Sequence, residues 1–349
     1  MNRRNFCSSM AAVTLLPAVA KTVPLPGGKA AVTATIRPKA LKKGDCVGVV
    51  APGTAVSNPD DIALVAELAD YLGLKLKFGS YVRKGSGYKS RTSEERVEDI
   101  HRMFSDTEVK AVFCIRGGYG SPQLLDRLDY DLIRSNPKIF LGYSDITALH
   151  LAINKFSGLV TFHGPVMLSS FSKYTFDHFY KALFDTTPVG TIRNSDAKNF
   201  LREAFPVRTI RPGKAKGRLT GGNLSLISAL MGTPYEIETA GRIVCIEDVD
   251  EEPFRIDRML TQLSLAGKLS AAAGIAFGRC SGCEVKDSSQ TWDYSLGEVL
   301  DNILGKLDIP VFYGLNFGHT SEQATLPFGV EAEIDADEGV ITVTEAGVV

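Results

Sequence analysis

A serine in a tight turn, a few histidines and carboxylates at strand ends give this 349-residue chain the parts for nucleophilic catalysis. Ser144 stands in Gly142-Tyr143-Ser144-Asp145, between the apolar run Ile139–Leu141 and the apolar stretch Ile146–Ile153. A serine in a sharp strand-to-helix turn is presented at the sheet edge. Its hydroxyl then sits near the free N–H groups of the helix start, which favour a developing negative charge. The turn lacks the final glycine of Gly-x-Ser-x-Gly, so it is not the α/β-hydrolase signature. Plain helix capping by Ser144 or Asp145 would use the same residues.

A serine nucleophile needs a base, and the base needs an orienting acid. The five histidines are His101, His150, His163, His178 and His319. His101, His150 and His178 fall within helical stretches and read as packing or surface residues. His163, in Phe162-His163-Gly164-Pro165, ends a strand close to Ser144. His319, in Leu315-Asn316-Phe317-Gly318-His319, follows a strand in the second half; pattern leaves both as candidate bases. Glu247-Asp248 closes the apolar strand Ile243–Ile246 and supplies candidate acids. A second loaded junction, Arg116-Gly117-Gly118-Tyr119-Gly120, follows Val109–Ile115. Its glycines let backbone N–H groups converge on an oxyanion or a phosphate, or simply make a tight turn. No Gly-x-Gly-x-x-Gly with a following ribose-binding acid is present. Cys280-Ser281-Gly282-Cys283 has the spacing of a zinc half-site or a redox pair. Without a second pair, structural zinc is disfavoured, and two unpaired thiols at a strand end are preferred over a local disulfide. No metal and no cofactor are expected.

These residues need a scaffold that brings strand ends together. Cys46–Val50 is a β-branched run closed by Ala51-Pro52-Gly53, and Asn58-Pro59-Asp60-Asp61 is a helix start with cap, proline and acids in place. That helix runs through Tyr71, and Leu74–Phe78 is a short strand. Thr92-Ser93-Glu94-Glu95 is a capping box for a helix ending near Phe104. Val109–Ile115, Ile139–Leu141 and Leu159–Phe162 are apolar runs typical of strands buried on both faces. The rhythm predicts α/β architecture: an N-terminal Rossmann-like parallel-sheet domain over 42–185. Residues 186–216, rich in Pro, Gly, Asn and basic side chains, read as a linker. Residues 217–349 read as a mixed α/β domain with more antiparallel pairing and short strands near Val311, Ala324, Val330 and Gly339–Thr344.

Hydrophobic residues at 44% and charged residues at 23% fit a globular protein, and the length fits two domains. A net charge of −1 gives no global field for nucleic acid or an anionic membrane. Residues 1–20 read as an export signal, with Arg3-Arg4-Asn5-Phe6 of twin-arginine type, an apolar run Met10–Val19 and small residues Ala18-Val19-Ala20. Residues 21–41 read as a tether. No later stretch has the ~18 apolar residues of a membrane span. The periplasm is the expected location, with the cytoplasm as the alternative.

From about Gly44 to its C-terminus the chain resembles the LD-carboxypeptidase family, which includes the microcin C self-immunity proteins. The resemblance rests on ordered blocks: Val49-Val50-Ala51-Pro52-Gly53, Arg116-Gly117-Gly118-Tyr119-Gly120, Gly142-Tyr143-Ser144-Asp145-Ile146-Thr147 and Phe162-His163-Gly164-Pro165. In the second half it rests on Gly221-Gly222-Asn223-Leu224, Gly232-Thr233-Pro234, Glu247-Asp248-Val249-Asp250-Glu251 and Phe317-Gly318-His319. It implies a triad of Ser144, Glu247 and His319 in a cleft between the domains. It also implies an oxyanion hole from the backbone N–H groups of Gly118 and Asp145. The implied substrate is a murein tetrapeptide, cut between the L-centre of its diamino acid and the terminal D-alanine. A homodimer is implied as well. Under this resemblance His163 gives up the role of base and becomes a pocket-lining residue. Arg116 has the charge to take the free carboxylate, or to pair with a neighbouring acid. Two other functions remain open. One is an immunity-type amidase acting on an aminoacyl nucleotide, for which Trp292, in the polar insertion 287–294, would offer a base platform. The other is a catalytically silent envelope protein that binds muropeptides.

Overall fold

A computed structural model describes residues 34–85, 88–196, 198–199, 202–203, 205–286 and 293–349. Residues 1–20, read as an export signal, and Trp292 lie outside the described residues. The first half alternates as its pattern requires: β1 (Cys46–Val50), α1 (Pro59–Leu72), β2 (Lys75–Phe78), α2 (Ser93–Ser105), β3 (Val109–Cys114), α3 (Tyr130–Ser135), β4 (Ile139–Gly142), α4 (Thr147–Ser157), β5 (Thr161–His163) and α5 (Lys173–Phe184). The Asn58 side chain accepts the Asp60 N–H at 3.1 Å, and Thr92 with Glu95 closes the capping box on α2. The second half runs β6 (Gly190–Ile192), the ribbon β7 (Lys198–Asn199) and β8 (Arg202–Glu203), β9 (Arg208–Arg211), β10 (Lys214–Asn223), α6 (Leu224–Ala229), β11 (Ile243–Glu247), α7 (Pro253–Leu265), β12 (Gly274–Gly278), α8 (Leu296–Ile303), β13 (Val311–Leu315), β14 (Leu326–Phe328), β15 (Glu331–Asp335) and β16 (Val340–Val343).

Two sheets result. The first has the order β14-β5-β4-β3-β1-β2 and is parallel from β5 to β2. The second has the order β6-β16-β15-β10-β11-β12-β13-β9, with a parallel centre from β10 to β13 and antiparallel flanks. Parallel strands present their carboxyl ends on one edge, where loops turn into helices and ligands are held. Ser144 follows β4 in the first sheet. Glu247 closes β11 in the second, and His319 lies four residues beyond β13.

The domain boundaries differ from those read in the sequence at three points. Residues 186–216 are not a bare linker: β6 and β9 form the two outer edges of the second sheet, and β10 begins at Lys214. Their Pro, Gly and basic content marks edge strands, which need no apolar run because one side faces solvent. The tether reading for 21–41 also stops short of its end. Ile36 bridges Leu159, Leu41 is buried, and the Ala40 and Leu41 N–H groups bond to the carbonyls of Val349 and Leu183. The strand expected near Ala324 begins at Leu326 and crosses to the first sheet, pairing antiparallel with β5 through Leu326 and His163.

That crossing strand is one of several links among the described residues that fix the halves to each other. An apolar cluster is another, running from Ile146, Leu149 and Ile153 beside and within α4 to Leu224, Ile227 and Ile256 of the second half. A third is polar: the Thr147 hydroxyl, at the start of α4, accepts the Asn223 backbone N–H at 2.9 Å in a buried setting. Removing that acceptor strands a buried donor, which costs about 1–3 kcal/mol. Thr147→Val therefore lowers the thermal midpoint by several degrees, whereas Thr147→Ser stays near wild type; calorimetric melting of the two variants checks this.

Candidate active site

Ser144 has φ +64°, a left-handed conformation that costs a non-glycine residue energy and persists only when the surroundings fix it. Here they do. The Asp145 carboxylate is buried and accepts the backbone N–H groups of Gly120 at 3.2 Å and Ser121 at 2.9 Å. The serine turn is thereby stapled to the glycine loop after β3. A Cβ on Gly117 would stand 2.9 Å from the Ser144 Cβ, so the loop backbone lies directly against the serine. The N–H groups of Gly118 and Asp145 are left without an acceptor among the described residues, Asp145 being in the first turn of its helix.

Two buried arginines hold the loops from behind. Arg91 donates to the carbonyls of Ala51 at 2.6 Å and Gly53 at 2.8 Å. Arg96 donates to those of Pro52 at 2.7 Å and Gly120 at 3.0 Å, and to the Gln123 side chain at 2.8 Å. Sequence reasoning missed both. The signal for Arg96 was present: with Ile100, Met103 and Phe104 it falls on the buried stripe of α2, where a cation must find acceptors.

Across the cleft, His319 Nδ1 lies 2.7 Å from Glu247 Oε2, and His319 Nε2 lies 3.1 Å from Ser144 Oγ. The same Glu247 oxygen accepts the His319 backbone N–H at 3.3 Å. Glu247 is fully buried, and the left-handed residue Gly318 (φ +78°) passes so close that a Cβ there would come within 2.4 Å of its carboxyl group. Only glycine allows that approach. Burial by itself would push the His319 imidazole down. The hydrogen bond and charge of Glu247, with Asp248 and Asp250 beyond, outweigh burial and raise its pKa above the ordinary histidine value. Asp248 is itself pushed up to about 6 by burial and by the Glu247 charge, while Asn223 Nδ2 and the Ser225 N–H and hydroxyl bond to its carboxylate. The arrangement can take the proton from a serine hydroxyl as it attacks a carbonyl, and it offers unpaired N–H groups to the oxyanion that forms on the carbonyl oxygen.

The site opens into a pocket of about 420 Å³ lined by Ser144, His319, Gly118, Arg116, Asp61 and Tyr143 among others. Arg116 is exposed there and enters none of the ion pairs among the described residues. Asp61 was overlooked because an acid in the first turn of α1 is accounted for by the helix dipole. His163 departs from its expected place. It is fully buried, both ring nitrogens lack a hydrogen-bond partner among the described residues, and the rings of Tyr143, Phe317 and Phe328 surround it. Burial pushes its pKa well below the usual value, so it is a neutral core residue under the site and does not line the pocket. The helical histidines take structural bonds: His150 to the Gly142 carbonyl, His101 from the Asp129 N–H, and His178 to the Tyr174 carbonyl. Cys280 and Cys283 are joined in a disulfide, which replaces the expectation of two free thiols.

Models of the LD-carboxypeptidase N-terminal and C-terminal domains match residues 47–164 and 216–334. The chain belongs to the LD-carboxypeptidase family. Among relatives in this peptidase family is a Bacillus subtilis protein named "Probable murein peptide carboxypeptidase". It is 40% identical over 89% of this chain and 95% of its own length. The microcin C7 self-immunity protein of Escherichia coli is 31% identical over 87% of this chain and 94% of its own. The crystal structure of muramoyltetrapeptide carboxypeptidase from Oxalobacter formigenes superposes with a TM-score of 0.73 at 30% identity. It covers 85% of this chain and 97% of that one. This LD-carboxypeptidase family member therefore shares both halves of the fold with its relatives. Among the described residues no cluster of metal-ligating side chains occurs, and no helix is long and apolar enough to cross a membrane.

The raised His319 pKa sets a titration that needs no substrate. The imidazole stays protonated to a pH above the ordinary value of about 6.5 and becomes a competent base only beyond it. Glu247→Gln removes the charge and keeps the burial, so the His319 titration moves to lower pH. Ring-proton NMR across pH 5–9 of both proteins checks the sign; an unmoved midpoint would contradict the assigned cause.

Proposed function

We propose that this protein is a serine-type LD-carboxypeptidase that removes the terminal D-alanine from murein tetrapeptides. The observation that carries this reading is the continuous line from Glu247 through His319 to Ser144, opening into a pocket that also holds Arg116. His319 Nε2 takes the Ser144 proton as the hydroxyl oxygen attacks the scissile carbonyl. Glu247 keeps the Nδ1–H tautomer in place and stabilises the imidazolium. The N–H groups of Gly118 and Asp145 receive the oxyanion, a contribution of about 3–4 kcal/mol per donor in comparable sites. His319 then returns the proton to the leaving amine of D-alanine, and water hydrolyses the acyl-enzyme by the same relay.

Recognition follows from pocket charge. Arg116 meets the free carboxylate of the leaving residue, and Asp61 meets the amine on the side chain of the diamino acid. Export through the Arg3-Arg4 leader places the enzyme in the periplasm, on this reading, and the Cys280–Cys283 disulfide suits such an oxidising compartment. A second reading, an amidase of the immunity type, draws on the similarity to the microcin C7 self-immunity protein. It keeps the same relay and changes only what enters the pocket.

Incubation with murein tetrapeptide, followed by mass spectrometry, tests the reading. The wild type releases D-alanine, and Ser144→Ala lowers the rate by about 10⁴–10⁶-fold. Release by neither protein would leave a binding protein or the amidase. Equal release by both would remove Ser144 from the mechanism.

A further inference from the structure

The relay works only if the His319 ring is held in one orientation, and the backbone around it is pinned on both sides. The His319 N–H bonds to Glu247. The His319 carbonyl accepts a hydrogen bond from the Ser281 hydroxyl at 2.8 Å. One residue back, the Gly318 carbonyl accepts the Gln323 side-chain amide at 2.6 Å. Of these three anchors, Ser281 lies on a different strand end, after β12, and is held in an unusual way. Its own carbonyl accepts the Asp250 N–H at 2.8 Å, where Val249 and Ser281 form an isolated parallel bridge. Its neighbours Cys280 and Cys283 are buried and joined in a disulfide that closes a loop around Ser281 and Gly282.

This loop therefore touches the relay twice, both times through Ser281. Through Asp250 it braces the segment that follows Glu247, and through the Ser281 hydroxyl it braces His319. A loop of four residues has few internal contacts to fix the direction of one hydroxyl; the covalent closure supplies what packing cannot. We propose that Ser281, held by the Cys280–Cys283 disulfide, is a positioning residue for His319, and that reduction of this disulfide loosens the relay and lowers activity. The redox step is thiol–disulfide exchange with a dithiol. One reductant thiolate attacks a cysteine sulfur and forms a mixed disulfide. The second reductant thiol displaces the remaining protein thiol, leaving two reduced cysteines and a cyclic oxidised reductant. Because both sulfurs are buried, exchange proceeds through local opening of the loop and is slow relative to an exposed disulfide.

The inference rests on the hydrolase reading of Ser144, His319 and Glu247, and its test uses readouts that do not need the natural substrate. The rate at which an organophosphorus fluoridate modifies Ser144 is followed against pH, with the His319 ring titrated in parallel by NMR. The expected result for Ser281→Ala is a modification rate about tenfold lower, a His319 midpoint moved towards lower pH, and recovery of both in Ser281→Thr. Wild type treated with dithiothreitol, with the two new thiols counted, behaves like Ser281→Ala. The Cys280→Ala/Cys283→Ala double variant behaves so without reductant and no longer responds to it. The proposal is overturned if Ser281→Ala keeps rate and midpoint within twofold and 0.2 pH units, or if complete reduction changes neither. A fall in melting temperature with an unmoved His319 midpoint also overturns it, since a merely structural loop would give that outcome. Should wild type fail to react with the fluoridate at all, the hydrolase reading fails, and the His319 titration alone still decides the positioning role.

Discussion

Glu247 is a carboxylate with no exposure to solvent, and both of its hydrogen bonds among the described residues come from His319. A buried unpaired carboxylate costs several kcal/mol, and the two bonds from His319 to Oε2 offset part of that cost, while Oε1 has no hydrogen-bond partner among the described residues. Much else answers to that constraint. Gly318 carries no side chain because a Cβ would collide with the carboxyl group. Gln323 and Ser281 hold the carbonyls on either side of the His319 peptide N–H. The ring, once fixed by its Nδ1 partner, has only one direction for Nε2, and that direction is Ser144.

Meeting across a cleft demands that the two halves do not drift, because a shift of an ångström would break a 3.1 Å contact. Besides the Lys155–Glu238 ion pair, at 2.7 Å, the links are of three physical kinds. Backbone pairing carries β14 out of the second half and onto β5 of the first. Apolar packing joins α4 to α6 and α7. A buried hydrogen bond ties Thr147 to Asn223, and Asn223 in turn donates to Asp248, next to Glu247. The helix that begins just past the serine and the strand end that carries the acid are therefore connected by a short polar path.

On the serine side, strain and charge are balanced by buried groups rather than by solvent. The left-handed Ser144 is kept by Asp145, whose carboxylate gathers two loop N–H groups. Arg96 lies close enough to favour the Asp145 charge, while burial raises the carboxyl pKa overall. Arg91 and Arg96 spend their donors on four backbone carbonyls of the loops after β1 and β3. These loops have no regular structure of their own, and the guanidinium groups give them fixed acceptor partners.

The sequence alone determined the elements that local chemistry dictates. The alternation of apolar runs and capped helices specified the first sheet, because a strand buried on both faces and a capping box are both properties of a few adjacent residues. It also marked Gly142-Tyr143-Ser144-Asp145 as a presented serine. Local pattern left two histidines open as base, and family resemblance chose His319. What only the tertiary structure decided is who meets whom across 72 to 175 residues of chain. It set His163 in an aromatic core and His319 against Ser144. It turned an apparent linker into sheet edges and closed Cys280 onto Cys283. The reason is physical: edge strands and the contacts among Ser144, His319 and Glu247 are stabilised by partners remote in sequence, and no window of neighbouring residues contains them.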